Sequence, residues 1–220
     1  MKYRRLELLQ GSAEWKEARL QYLTASQVAV VLGHSPYQTL TALYEEKVTG
    51  HDAPLTEYQT RLFAKGHESE TLARAAVEKF LKTQLEASTL VSLEHPDLLA
   101  SLDGHCERTK VILEAKFLGK LNFESCRRGE IQLHHLIQIQ AQLRVTGAEY
   151  CLYHATSTLD EVVCLKILPC QEIQTQIGLA ARTFMADVRA RRVPGSALRY
   201  TSGVDLLLQN RIFKPIKFTY

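Results

Sequence analysis

At 220 residues the chain can bury one sizeable core but is short for two ordinary domains; 45% hydrophobic and 23% charged residues is the balance of a soluble globular protein. A net charge of +3 neither demands nor excludes a nucleic-acid partner, so any affinity for DNA must come from how charge is distributed. Five cysteines with no C-x-x-C pair argue against a disulfide framework, a zinc site or an iron–sulfur cluster. The opening MKYRRLELLQ has charge but no apolar h-region, and no stretch reaches transmembrane length, so a soluble intracellular protein without a membrane partner is expected.

In chain order, residues 12–22 read as a short helix with Ser12 as N-cap and Trp15 on its buried side. Thr24 and Gln27 have capping-box spacing ahead of the apolar run AVVL, which Gly33 stops. Ser35 and Pro36 read as cap and first residue of a third helix ending at Gly50, and 51–60 as a polar loop. Residues 61–82 have helical spacing, with a break expected near Gly66. From 87 to 117 short apolar runs suggest three strands. A helix follows over 129–147, then strands at 149–155 and 161–168, then a helix over 171–192 whose Arg189, Arg191 and Arg192 suit its C-terminal dipole. The expected architecture is one α/β (α+β) domain over residues 1–220 around a mixed sheet, with 193–220 an extension that shows no clear period.

Chemistry concentrates in LLASLDGH and VILEAKF. Strand side chains alternate faces, so Glu114 and Lys116 point the same way, and Asp103 can sit beside them if the two runs pair. Two carboxylates and an ammonium suit Mg²⁺ and a phosphodiester. The same pattern also fits a solvent-facing edge strand with a surface ion pair. Glu70, near the start of an amphipathic helix, reads either as an acid favoured by the dipole or as a third carboxylate for a two-metal site. Arg19, Thr24 and Ser26 read either as an exposed residue beside an ordinary cap or as a phosphate pocket at a helix start. His134, Gln138 and Gln142 recur every four residues, with His135 beside them: a solvated face, or the uncharged lining of a cleft.

Five segments in order, EWKEARLQYLTASQVAVVLG, FAKGHESETLAR, ASLDG, LEAKF and LIQIQAQLRVTGAEYCLY, resemble the phage-type 5′→3′ alkaline exonucleases. That family includes lambda exonuclease and the YqaJ-like viral recombinase nucleases. The likeness spans about residues 12–168. It implies a PD-(D/E)xK restriction-endonuclease-like core with Asp103, Glu114 and Lys116 on the nuclease motif. The Ala115 carbonyl and Glu70 would help to hold two Mg²⁺ ions, with Mn²⁺ as a substitute. Arg19 and Ser26, with Thr24 beside them, match the pocket for a terminal 5′-phosphate. Gln138, and with it Gln140, match the Q-x-Q beside the active site, and His135 stands where relatives carry an aromatic. Leu102 replaces a common Pro, and Phe117–Leu118 a common Cys–Pro.

The activity so implied is 5′→3′ digestion of one strand of linear duplex DNA to mononucleotides, leaving a 3′ overhang for recombination by strand annealing. The expected setting is the cytoplasm of a phage's bacterial host. Expected partners are double-stranded DNA ends, two further copies in a homotrimeric ring, and a single-strand annealing protein. An endonuclease on the same fold and a non-catalytic DNA-end-binding module are the rival readings.

Overall fold

The apolar runs between 87 and 117 do form three consecutive strands, and the rest of the molecule is built on them. The computed structural model describes residues 2–51, 57–158 and 161–195 and the short strand 214–216. The three runs are β3 (Glu86–Ser92), β4 (Leu98–Cys106) and β5 (Val111–Phe117), an antiparallel meander. Two further strands, β6 (Tyr150–Thr158) and β7 (Glu161–Ile167), form a hairpin whose first member lies parallel to β5. A parallel neighbour demands a long crossover. Here it is supplied by α5 (Lys120–Arg127) and α6 (Leu133–Thr146), the latter closed by Gly147 at φ 65°.

Edge strands complete an eight-stranded mixed sheet. β1 (Tyr3–Leu6) pairs antiparallel with β3, β8 (Lys214–Ile216) with β7, and the two-residue β2 (Leu23–Thr24) runs parallel to the start of β4. The mixed sheet flanked by helices is the architecture expected of this sequence.

Each face of the sheet has its own core. Leu98, Ala100, Leu102, Ile112 and Tyr153 belong to the larger, with α2 (Val28–Val31), α6 and α7 (Gln171–Arg189). Val111, Leu113 and Leu152 belong to the smaller, against Ala73 and Val77 of the long helix α4 (Glu57–Leu81). Leu102 and Leu113 are fully buried, and each such burial contributes about 2 kcal/mol.

Several elements differ from expectation. α1 (Ala13–Leu20) is capped by Ser12 as expected, whose Oγ accepts from Trp15 N at 3.2 Å, but it ends two residues early. The segment after Thr24 is a single 3-10 turn, Ala25–Gln27, leading into a four-residue α2 that ends just before the expected stop at Gly33, φ 76°. α3 (Leu40–Thr49) starts four residues later than Ser35 suggests. Thr39 Oγ1 takes the N-cap bond from Ala42 N at 3.2 Å, and Ser35 Oγ accepts instead from Tyr37 N in a local turn. Two hydroxyl residues four apart compete for the same role, and the one next to the helix wins.

Gly66 does not interrupt α4, which begins at Glu57; the expected loop at 51–60 otherwise falls mostly outside the described residues. The side chains of Leu62 and Phe63 lie outside them too, as does most of 193–220, apart from β8. β1, β2 and α5 were not anticipated. All five cysteines are free and buried. Among the described residues no helix is long and apolar enough to cross a membrane.

Buried histidines give the fold an acid limit. Burial pulls the His154 imidazole down from 6.5 to about 4. Below about pH 6.5 the unfolded chain therefore takes up a proton that the folded one refuses until about pH 4. Stability is present above that window and falls within it by about 1.4 kcal/mol per pH unit for this residue. His105 and His135 are lowered by burial as well and add to the loss. Urea titrations at pH 7, 6 and 5 should show the decline, and His154→Gln should make it shallower; an unchanged slope would remove His154 as a source.

Candidate active site

The β4–β5 ladder stops short of its own charged residues. Its last pair is Gly104↔Leu113; in the same register Asp103 would face Glu114 and Leu102 would face Ala115. Instead, Asp103 Oδ2 accepts a hydrogen bond from Ala115 N at 2.8 Å. A carboxylate has taken the place of a backbone carbonyl, and the two strands part.

The cause is a bulge. β3 pairs Glu86 with His105 and Ser88 with Leu102, so two residues of β4, Asp103 and Gly104, stand against the single Ala87. Face alternation breaks there too: Leu98, Ala100 and Leu102 face the α6 core, whereas Cys106 belongs to the α4 core. Bulges re-aim side chains and end pairing. Gly104 allows the close approach, since a Cβ there would lie 3.1 Å from Leu113 Cβ and 3.2 Å from Leu85 Cβ.

Glu114 is 2% exposed, too buried for a bare carboxylate. It is compensated on both oxygens. Oε1 forms an ion pair with Lys116 Nζ and accepts from Gln138 Nε2 at 2.6 Å. Oε2 accepts from Gln142 Nε2 at 2.5 Å. Gln138 and Gln142 of the α6 stripe therefore face the Glu114 carboxylate rather than solvent. Gln142 has a role that sequence reasoning did not assign, although its spacing from Gln138 is the signal for it. Its Oε1 is buried without a hydrogen-bond partner among the described residues.

The remaining charges are unbalanced. Burial and the neighbouring Glu114 carboxylate raise the Asp103 carboxyl well above its usual range, with Lys116 opposing and Glu70 adding to the rise. Burial pulls Lys116 down, but Glu114, Asp103 and Glu70 together outweigh it and its ammonium is held up. Glu70 thus belongs to the same electrostatic cluster, and His67 Nδ1 lies 3.1 Å from its Oε2. Ser69, its neighbour, shares a 2.8 Å hydrogen bond with Thr156 of β6. Arg74, one turn further on α4 and also unanticipated, donates from Nε to the Asp103 carbonyl at 2.8 Å. Among the described residues no group of three or more His, Cys, Asp or Glu side chains is placed to hold a metal ion by itself.

Two expected members turn elsewhere. Gln140 is fully buried and braces α7: Nε2 donates to the Leu168 carbonyl at 2.9 Å, and Oε1 accepts from Cys170 N at 2.8 Å. A substrate cannot reach it, since residues two apart on a helix point to nearly opposite sides. His135 is 8% exposed, with Nδ1 2.9 Å from the Tyr153 hydroxyl, and burial holds it well below its usual range. It packs the core rather than meeting solvent.

Arg19, Thr24 and Ser26 lie on segments joined to β4. Trp15 Nε1 donates to Ser101 Oγ at 3.1 Å, two residues before Asp103, and the Arg19 guanidinium carbon lies 4.4 Å from the Trp15 ring centroid. Thr24 is buried: its Oγ1 donates to Gln27 Oε1 at 3.0 Å and lies 3.1 Å from Ser26 Oγ. Ser26 itself is exposed.

A family model for the YqaJ-like viral recombinase domain matches residues 14–149. The fold is similar to that of the alkaline exonuclease LHK-Exo from Laribacter hongkongensis. Its crystal structure in complex with dAMP aligns at TM-score 0.68 and 22% identity over 90% of this chain and 97% of that one. A second crystal structure of LHK-Exo aligns at 0.66, again at 22% identity, 90% and 97%. A phage related exonuclease from Haemophilus somnus 129PT aligns at 0.54 and 13% identity, covering 80% and 98%. No curated protein sequence matches the chain.

The bulge geometry is testable by paired glycine substitutions. Gly104→Ala should cost about 1–3 kcal/mol in urea unfolding, because the added methyl meets two side-chain stems rather than flexible tips. Gly66→Ala, where a Cβ meets nothing within 4 Å, should gain up to about 1 kcal/mol of helix propensity. Equal effects at the two positions would refute the close packing at the bulge.

Proposed function

The chain belongs to the YqaJ-like viral recombinase domain family, and from that premise we propose that it is a Mg²⁺-dependent 5′→3′ exonuclease of linear double-stranded DNA. The observation that carries the reading is the parting of β4 from β5 beside a cluster of Asp103, Glu114 and Lys116 with Glu70 nearby. Three carboxylates against one ammonium leave an excess of negative charge that a divalent cation would neutralise. The donor set is hard oxygen, as Mg²⁺ prefers. Mg²⁺ is also commonly held by one or two carboxylates plus water and substrate phosphate rather than by an all-protein cage.

In this reading Asp103, Glu114, Glu70 and the Ala115 carbonyl would hold the metal. Bound cations would supply charge stabilisation at the attacked phosphate and the leaving oxygen. Gln138 and Gln142 keep the Glu114 carboxylate aimed. Lys116 orients the attacking water through its ammonium hydrogens. Arg19 and Ser26 hold the 5′-phosphate by charge-assisted hydrogen bonds, which set register without reading bases. The reading extends to a homotrimeric ring around the duplex and to a single-strand annealing protein, both carried by the family resemblance.

Incubation of the protein and Mg²⁺ with linear duplex labelled separately at each end tests the class: mononucleotides should come from 5′ ends alone. Rapid cutting of closed circular duplex would make it an endonuclease. Lys116→Ala should bind duplex ends normally and lose cleavage by about 10²-fold or more; retained turnover would sink that assignment. Duplexes with 5′-hydroxyl ends should be cut more slowly than phosphorylated ones, and equal rates would remove the pocket. Replacing Mg²⁺ by Ca²⁺ should preserve binding while removing most turnover, because looser coordination misplaces the nucleophile.

A further inference from the structure

Tyr37 is left unused by that mechanism. Its side chain is 78% exposed, in the loop ahead of α3. The loop is nevertheless pinned: Ser35 Oγ accepts from Tyr37 N at 3.2 Å, Pro36 fixes its own φ, and Gln38 Nε2 donates to Glu46 Oε2 at 2.7 Å. The ring stands edge-on to His134, with centroids 5.3 Å apart and planes at 87°.

His134 lies one helical turn before Gln138, which touches Glu114. A continuous line therefore runs outward from the buried carboxylate: Gln138, His134, then Tyr37 at the rim. His134 Nε2 is buried with no hydrogen-bond partner among the described residues, so the line also carries an unused polar atom. A large aromatic normally contributes by burial. Held rigid but exposed, at the outer end of a line that leads to Glu114, it has the form that stacks nucleobases without regard to their identity.

We propose that Tyr37 is a base-stacking platform: a nucleobase flanking the scissile phosphodiester lies on its exposed ring face while His134 holds the ring edge-on. The proposal rests on the nuclease reading for its substrate and adds a subsite to it. Its hydrophobic contact is sequence-tolerant, so it grips the strand without conferring base preference.

The test is a cycle of protein and substrate changes. Tyr37→Ala and Tyr37→Phe are assayed on 5′-phosphorylated duplexes, either intact or with one abasic residue at the first or second position of the digested strand. Tyr37→Ala should raise KM, and Kd measured in Ca²⁺, by roughly 5- to 150-fold on intact duplex. Tyr37→Phe should stay close to wild type. On one of the two abasic substrates the Tyr37→Ala penalty should vanish, because there is no base left to unstack. Wild-type constants for Tyr37→Ala, or the same penalty on every substrate, would overturn the platform. So would a change in oligomeric state by light scattering, which would make Tyr37 a subunit contact. A wild-type protein that binds ends in a Tyr37-dependent way but cuts nothing would instead sink the nuclease reading and keep the subsite.

Discussion

The buried carboxylate of Glu114 is the constraint on which the rest of the site depends. A charge this deep is stable only if its oxygens are met by donors, and they are, by Lys116, Gln138 and Gln142. Two of those donors come from α6, which also returns the chain from β5 to its parallel neighbour β6. One helix therefore serves connectivity and electrostatics together. Its polar stripe cannot be turned to solvent without removing two of the three partners of Glu114, and its opposite side cannot be shifted without breaking the Gln140 brace to α7.

The second determinant is geometric. Without the bulge in β4, the antiparallel pairing would continue past Gly104 and close the sheet over the site. With it, the Ala115 amide is captured by Asp103, and the strands open where the charges collect. Leu102 stays fully buried immediately before the acid, so the bulge redirects one side chain without loosening the core beneath it.

Much of this was legible in the residues themselves. Charges interrupting VILEAKF on one face, an acid closing the preceding apolar run, and amides four apart on a helix all announce themselves through strand and helix periods. The same helical period separates Gln138 from Gln140, so a strict reading of spacing would have moved Gln140 away from the cleft. The bulge was not legible. It depends on Ala87 meeting two residues of another strand, a non-local match that no local pattern encodes. β1 and β2 were hidden for a similar reason: short, charged or two-residue strands carry little signal of their own and exist because β3 and β4 offer edges. The start of α3 was misplaced because Ser35 and Thr39 both offer a cap, and packing chose between them.

The hydrogen bond between Ser69 and Thr156 joins residues 87 positions apart. It references the helix carrying Glu70 to a strand made late in the chain. During synthesis from the N-terminus, Asp103, Glu114 and Lys116 leave the ribosome before β6 exists to receive that bond. A growing chain thus has its acids without a fixed arrangement for them, and the full carboxylate set comes together only once most of the domain has been made.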